Sequence, residues 1–239
     1  MTRFAISWSL DGRPFARALD PAEMTMLVIG REPGVEIHLP LPTVSRRQAR
    51  LAWTGNGYEL ENLSATNPVV LDGRAVSTSA SLSDGSSIRA GDAILIVHDL
   101  TAADQIGGPR CSHCGRENKS GDAECWFCGT SLVNAPTAVR TKHRLILRLV
   151  DAGGSRSDLV EGQGLHVGST GALEARPAAA PGEDDADAPV IAIDEGRAIA
   201  RNADAVRVED QAGRRRTDGQ IETGDVVVAG GRTYAAIAR

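Results

Sequence analysis

Short apolar stretches separated by turn residues run from Phe4 to Val97: Phe4-Ala-Ile-Ser-Trp8, Met26-Leu-Val-Ile29, Ala49-Arg-Leu-Ala-Trp53, Tyr58-Glu-Leu-Glu61, Val69-Val-Leu71 and Ala93-Ile-Leu-Ile-Val97. Each has strand length and composition, and no amphipathic helical pattern intervenes. Between them stand Gly30, Pro33-Gly34, Gly55-Asn-Gly57, Asn67-Pro68, Asp72-Gly73, Asp84-Gly85 and Gly91-Asp92, turn signals at the spacing of an all-β sandwich. A second series follows: Leu145-Ile-Leu-Arg-Leu-Val150, Leu165-His-Val167, Val190-Ile-Ala-Ile193, Ala198-Ile-Ala200, Val206-Arg-Val208 and Val226-Val-Val228. Setting Asp84-Gly85…Ile88…Gly91-Asp92 against Asp218-Gly219…Ile221…Gly224-Asp225 predicts a divergent internal repeat.

The pattern predicts an all-β chain: a β-sandwich over 1–100, a linker over 101–110, a small metal-binding element over 111–132, a linker over 133–142 and a second sandwich over 143–239. Residues 175–189, rich in Ala and Pro around Glu183-Asp-Asp185, lack the apolar content to order themselves and read as a disordered insert.

Composition narrows the function classes. With 41% hydrophobic and 24% charged residues and a net charge of −5, the 239-residue chain resembles a soluble protein and is not built to coat nucleic acid or an anionic membrane. No stretch reaches the ~18 unbroken apolar residues of a membrane span, so the expected location is cytoplasmic. Motifs of nucleotide, metalloprotease and serine-hydrolase chemistry are lacking, and the five histidines form no constellation. The expectation is a binding protein, not an enzyme.

All four cysteines lie in Cys111-Ser-His-Cys114 and Cys125-Trp-Phe-Cys128. Two C-x-x-C knuckles at this separation place four thiolates about 2.3 Å from one Zn²⁺, closing its coordination sphere and leaving no position for catalytic water. Gly115 and Gly129 each follow the second cysteine of a pair, which resembles a zinc ribbon and implies structural zinc on Cys111, Cys114, Cys125 and Cys128. His113 and His143 read as solvated, and Trp126 and Phe127 as covers of the metal. The basic residues Arg110, Arg116, Lys119, Arg140, Lys142, Arg144 and Arg148 raise nucleic-acid binding through the ribbon as an alternative.

In the first sandwich, Gly30-Arg31 follows a strand, Ser45-Arg46-Arg47 follows a loop and Thr66-Asn67 precedes another strand. A guanidinium, hydroxyls and an amide at one end of a sandwich suit a phosphate monoester on a peptide, with about −1.5 to −2 charge and three acceptor oxygens. Met26 to Val97 resembles a forkhead-associated (FHA) domain, through Gly30-Arg31, Glu36-Ile-His-Leu39, Ser45-Arg-Arg-Gln-Ala49, Thr66-Asn67-Pro-Val-Val-Leu-Asp-Gly73 and Asp84-Gly85…Gly91-Asp92. The resemblance implies phosphothreonine-peptide binding: Arg31 and Ser45 on the phosphate, Arg46 and Thr66 assisting, Asn67 on the peptide main chain. The implied partner is a phosphothreonine-containing protein, a Ser/Thr kinase or its substrate. Gln48 departs from the family's histidine that braces the loop, and Pro68 from the glycine after the asparagine, which removes a backbone donor.

The C-terminal segment resembles the same family without its site: Gly168-Ser169 replaces Gly30-Arg31, and no Asn-bearing turn is found. A degenerate FHA-like domain is expected there. The other alternative for the whole chain is a phosphate-independent scaffold for protein interaction.

Overall fold

The computed structural model describes residues 4–100, 109, 111–114, 122–125, 128–133, 135, 144–178 and 188–239. These residues are all-β, with no helix among them. The first eleven strands are β1 (Phe4–Leu10), β2 (Arg13–Leu19), β3 (Met26–Gly30), β4 (Ile37–His38), β5 (Ala49–Trp53) and β6 (Tyr58–Asn62), then β7 (Val70–Leu71), β8 (Arg74–Ala75), β9 (Ser79–Ser81), β10 (Ser87–Ala90) and β11 (Ala93–Asp99). They form two sheets, ordered β2-β1-β11-β10-β7-β8 and β4-β3-β5-β6-β9. Between them Ile6, Leu27, Ile29, Leu51, Leu60, Ile88 and Leu95 are buried, the inward half of each period-2 pattern. Phe4, Trp53 and Tyr58 pack edge to face within this core.

The second set is β12 (Leu145–Asp151), β13 (Arg156–Val160), β14 (Gln163–Val167), β15 (Leu173–Pro177), β16 (Ile191–Asp194), β17 (Arg197–Ala200), β18 (Val206–Glu209), β19 (Val226–Ala229) and β20 (Arg232–Ala238). Its sheets run β13-β12-β20-β19-β18 and β15-β14-β16-β17. This follows the order of the first sandwich, with β12 in the place of β1 and β20 in that of β11, but without counterparts of β8 and β9 at the sheet ends. One strand breaks the parallel: β4 pairs with β3 in parallel, whereas β15 folds back on β14 as an antiparallel hairpin.

The repeat is present, but its predicted register is one strand off. Gly85 N donates to Val97 O and Val97 N to Ser86 O; Gly224 N donates to Ala236 O and Ala236 N to Asp225 O. Gly224-Asp225 therefore matches Gly85-Ser86 ahead of β10, and not Gly91-Asp92 ahead of β11. A Gly-Asp turn can open either strand of a hairpin, so the dipeptide alone does not say which. Of the residues 175–189 expected to be a disordered insert, Ala175, Arg176 and Pro177 instead belong to β15 and pair with Leu165, Gly164 and Gln163, because β14 supplies a partner ladder that composition does not reveal. Residues 179–187 lie outside the described residues.

The two sandwiches form one compact unit, Met1–Leu100 with Leu145–Arg239. The outer face of β1 and β2 packs on that of β12 and β20 through Ala5, Ala16, Leu145, Val150, Ala235 and Ile237, with Leu100. Small side chains let the sheets approach, and β12 is buried on both faces. Arg148, 5% exposed, lies in this seam. Its Nε and Nη2 each sit 2.8 Å from a carboxylate oxygen of Asp158, and its Nη1 is 3.6 Å from Asp84 across the seam. Arg156 reaches Asp84 at 3.4 Å. His98, fully buried, shares a 2.7 Å hydrogen bond with Ser7. Burial, reinforced by Arg156 and Arg148, pushes its pKa down to about 3, so it is neutral at ordinary pH.

Candidate functional site

The end of β3 is shaped by a backbone contact that only glycine permits. Arg31 N donates to Ser45 O at 2.9 Å and Glu32 N to Arg46 O at 3.0 Å. A Cβ on Gly30 would stand 2.2 Å from Arg46 O, so the glycine lets the 45–47 loop lie against the strand and Arg31 emerges beside it. Arg31 Nε donates to Val44 O at 3.1 Å, which fixes the stem of the side chain. Glu36 holds the other end of the connection: its Oε2 accepts from Val28 N at 2.7 Å. That hydrogen bond, with help from Arg17 and Arg47, keeps the carboxyl below its ordinary pKa.

Arg31, Ser45 and Arg46 come together in one open depression, which Glu32, Arg47, Leu63 and Ser64 also line. Arg31, Arg46 and Arg47 have no ion-pair partner among the described residues. Three guanidinium groups against one carboxylate give the lining of the depression a net positive charge. Ser45 Oγ lies 2.9 Å from Ser64 Oγ, and Ser64 Oγ accepts from Asn67 N at 3.1 Å. With the Ser64 proton on Ser45 Oγ, the Ser45 proton is left for an incoming anion.

Thr66 and Asn67 lie on the adjoining turn. Thr66 is exposed and does not line the depression. Asn67 is tied to the 43–48 segment twice, with Nδ2 donating to Thr43 O at 2.7 Å and its carbonyl accepting from Gln48 Nε2 at 2.5 Å. Gln48 is fully buried, and its Oε1 also accepts from Ser45 N at 3.0 Å. The glutamine thus braces both loops. Arg47 stood in the Ser45-Arg46-Arg47 stretch without a role of its own, whereas Ser64 and Thr43 were not singled out by the sequence, because the two hydroxyl residues acquire their places only through contacts distant in the chain.

At the corresponding place in the second sandwich, Gly168 and Gly171 close a tight hairpin, with Gly168 N on Ala172 O and Gly171 N on Gly168 O. No arched loop forms there, and Ser169 stands where an arginine would be required.

Thr101–Arg144 forms a separate unit. Within it the Sγ atoms of Cys111, Cys114, Cys125 and Cys128 all lie within 4.8 Å of one another. The Cys111–Cys128 and Cys114–Cys125 separations are 3.6 Å, too long for disulfides and close to the ~3.8 Å between thiolates in a tetrahedron of ~2.3 Å metal–sulfur bonds. Gly129, at φ +70°, turns the second knuckle, and its N–H donates to Cys125 O. The Thr130 hydroxyl and backbone, aided by Cys111 and Cys114, hold the Cys128 thiol down to about 6. The donor set fits one metal ion. Trp126, Phe127, His143 and the basic residues Arg110, Arg116, Lys119, Arg140 and Lys142 lie outside the described residues. No helix among the described residues is long and apolar enough to cross a membrane.

The FHA domain family model matches residues 27–91. Among solved structures, the FHA domain of CT664 from Chlamydia trachomatis is 22% identical, covering 41% of this chain and 98% of that one with a TM-score of 0.38. The FhaA FHA domain, solved in complex with the intracellular domain of Rv3910, is 28% identical over 40% of this chain and 99% of its own, TM-score 0.36. Mycobacterium tuberculosis EmbR, solved in complex with a low-affinity phosphopeptide, is 25% identical over 40% of this chain and 24% of its own, TM-score 0.35. No curated protein matches the chain significantly.

Proposed function

We propose, from the FHA domain that residues 27–91 form, that the chain is a phosphothreonine-peptide-binding adaptor acting downstream of a serine/threonine protein kinase. The observation that carries this reading is the depression where Arg31, Ser45 and Arg46 meet with no ion-paired acid among the described residues. A phosphate there would take the Arg31 guanidinium as a planar fork and the Ser45 hydroxyl as a further donor, with Arg46 adding charge. Thr66 on the neighbouring turn would extend the donor set, and Asn67 would hold the peptide main chain. Gln48 replaces the brace of the loops without occupying the depression.

Cys111, Cys114, Cys125 and Cys128 would hold a structural Zn²⁺. It would fix the knuckle's fold, its closed four-sulfur shell leaving no place for substrate. The second sandwich, without an arginine at Ser169, would serve packing and protein contact. A pull-down from cell lysate with wild type and Arg31→Ala, before and after phosphatase treatment, tests the adaptor reading. Partners should be retained by untreated lysate and wild type alone. Partners kept after phosphatase would instead favour a phosphate-independent scaffold.

A further inference from the structure

The outer face of β1, β2 and β11 is only partly covered by the second sandwich. Beside the seam, within the same compact unit, a cleft of about 440 Å³ opens between these strands and the β12–β13 turn. Its floor is apolar. Ile94 and Ile96 line it and alternate along β11 with Leu95 and Val97, which fill the core. Pro14 lines it from β2, on the same face as Ala16 in the seam. Ile94 is 53% exposed, so the floor is open to solvent and suits an extended chain laid across it rather than an enclosed small molecule.

The polar rim carries the opposite sign from the phosphate depression. Asp92 stands at the β10–β11 turn and Asp151 at the β12–β13 turn, and neither has an ion-pair partner among the described residues. Asp151 Oδ1 accepts from Gly153 N and Ser155 N, both at 2.9 Å, which holds the carboxylate in place. Arg156 also lines the cleft but is drawn to Asp84 at 3.4 Å. The lining is therefore net negative, where the lining around Arg31, Arg46 and Arg47 is net positive.

Hydrogen bonds join the two places. Ser64 of the depression accepts from Asn67 N, Asn67 Nδ2 donates to Thr43 O, and Thr43 Oγ1 donates to Asp92 Oδ2 at 2.9 Å while accepting from Asp92 N at 3.2 Å. A Cβ on Gly91 would stand 2.5 Å from Thr43 O, so the glycine lets the β10–β11 turn close on this loop. A peptide leaving the depression over Asn67 and Thr43 arrives at Asp92 and the head of the cleft.

We infer that one flank of the bound phosphothreonine peptide continues into this cleft, which selects a lysine or arginine there. The aliphatic stem lies on Ile94 and Ile96 and the charged head turns to Asp92 and Asp151. The second sandwich thereby takes part in recognition, lending Asp151 to a site whose phosphate end belongs to the first. The inference rests on the phosphothreonine reading of the depression.

The test takes the full chain and the tightest phosphothreonine peptide from a degenerate library, with each flanking residue replaced in turn by lysine and by glutamate, measured by calorimetry. At one position lysine should bind about tenfold more tightly than glutamate. Asp151→Asn, which keeps an oxygen for the turn, should cut that ratio to about threefold, and adding Asp92→Asn should bring it near one. Ile94→Ser, at an exposed position, should weaken the lysine peptide about threefold through lost cover of the stem. No preference at any position, or a ratio unchanged by the double substitution, overturns the inference while leaving phosphate dependence intact. If no phosphopeptide binds better than its unphosphorylated twin, the reading of the depression fails and the inference with it.

Discussion

Gln48 takes the Ser45 amide on Oε1 and gives an Nε2 hydrogen to the Asn67 carbonyl, so one buried side chain ties together the two loops that carry the candidate site. Truncation to alanine leaves a backbone donor and an acceptor without partners, at about 1–3 kcal/mol each where no water enters. Gln48→Ala should therefore lose roughly 2 kcal/mol in denaturant titration and weaken phosphopeptide binding, although the side chain never meets the ligand. Unchanged stability would mean that the loops are held elsewhere. Arg31, Ser45 and Asn67 were legible because their family pattern is local and in register. Thr43, Ser64 and the bracing by Gln48 were not, since a hydrogen bond from Gln48 to Asn67 or from Thr43 to Asp92 exists only once the loops have met.

At the scale of elements, strands were read where apolar runs alternate, and missed where both faces are polar or the run is interrupted, as at β2, β13 and β15. The second sandwich repeats the strand order of the first, yet the change of β4 from parallel to the antiparallel hairpin β15 removes the loop that presents Arg31. A substitution of Ser169 by arginine alone should accordingly confer no phosphopeptide binding, because the arched loop is absent. The knuckle was the most local signal: four cysteines specify their own cluster by spacing. Purified protein should carry one zinc per chain by elemental analysis, and Cys114→Ser should reduce the zinc content well below one. A metal-free preparation that keeps the four thiols protected from alkylation would contradict a metal-held knuckle.

For the whole molecule, the sequence predicts two sandwiches, and the structure joins them face to face. The run Leu145-Ile-Leu-Arg-Leu-Val150 is apolar on both faces, which fits a strand covered on both sides, but its outer cover could not be named from the run itself. Arg148 is the charged residue at the centre of that cover, between Asp158 and Asp84. Arg148→Ala would leave Asp158 without its fork and Asp84 with Arg156 alone, and should cost about 3 kcal/mol, less if water reaches the half-buried acids. Calorimetric unfolding of the wild type should show the sandwiches melting together, and Arg148→Ala should separate or lower that transition. An unchanged melting profile would mean that the seam contributes little.

The account stands most directly on calorimetry of the full chain with a phosphothreonine peptide from a degenerate library and with its unphosphorylated twin. The phosphorylated peptide should bind and the twin should not, and Arg31→Ala should lose about 2–5 kcal/mol of the binding free energy. Equal affinity for the two peptides, or binding indifferent to Arg31→Ala, would contradict it.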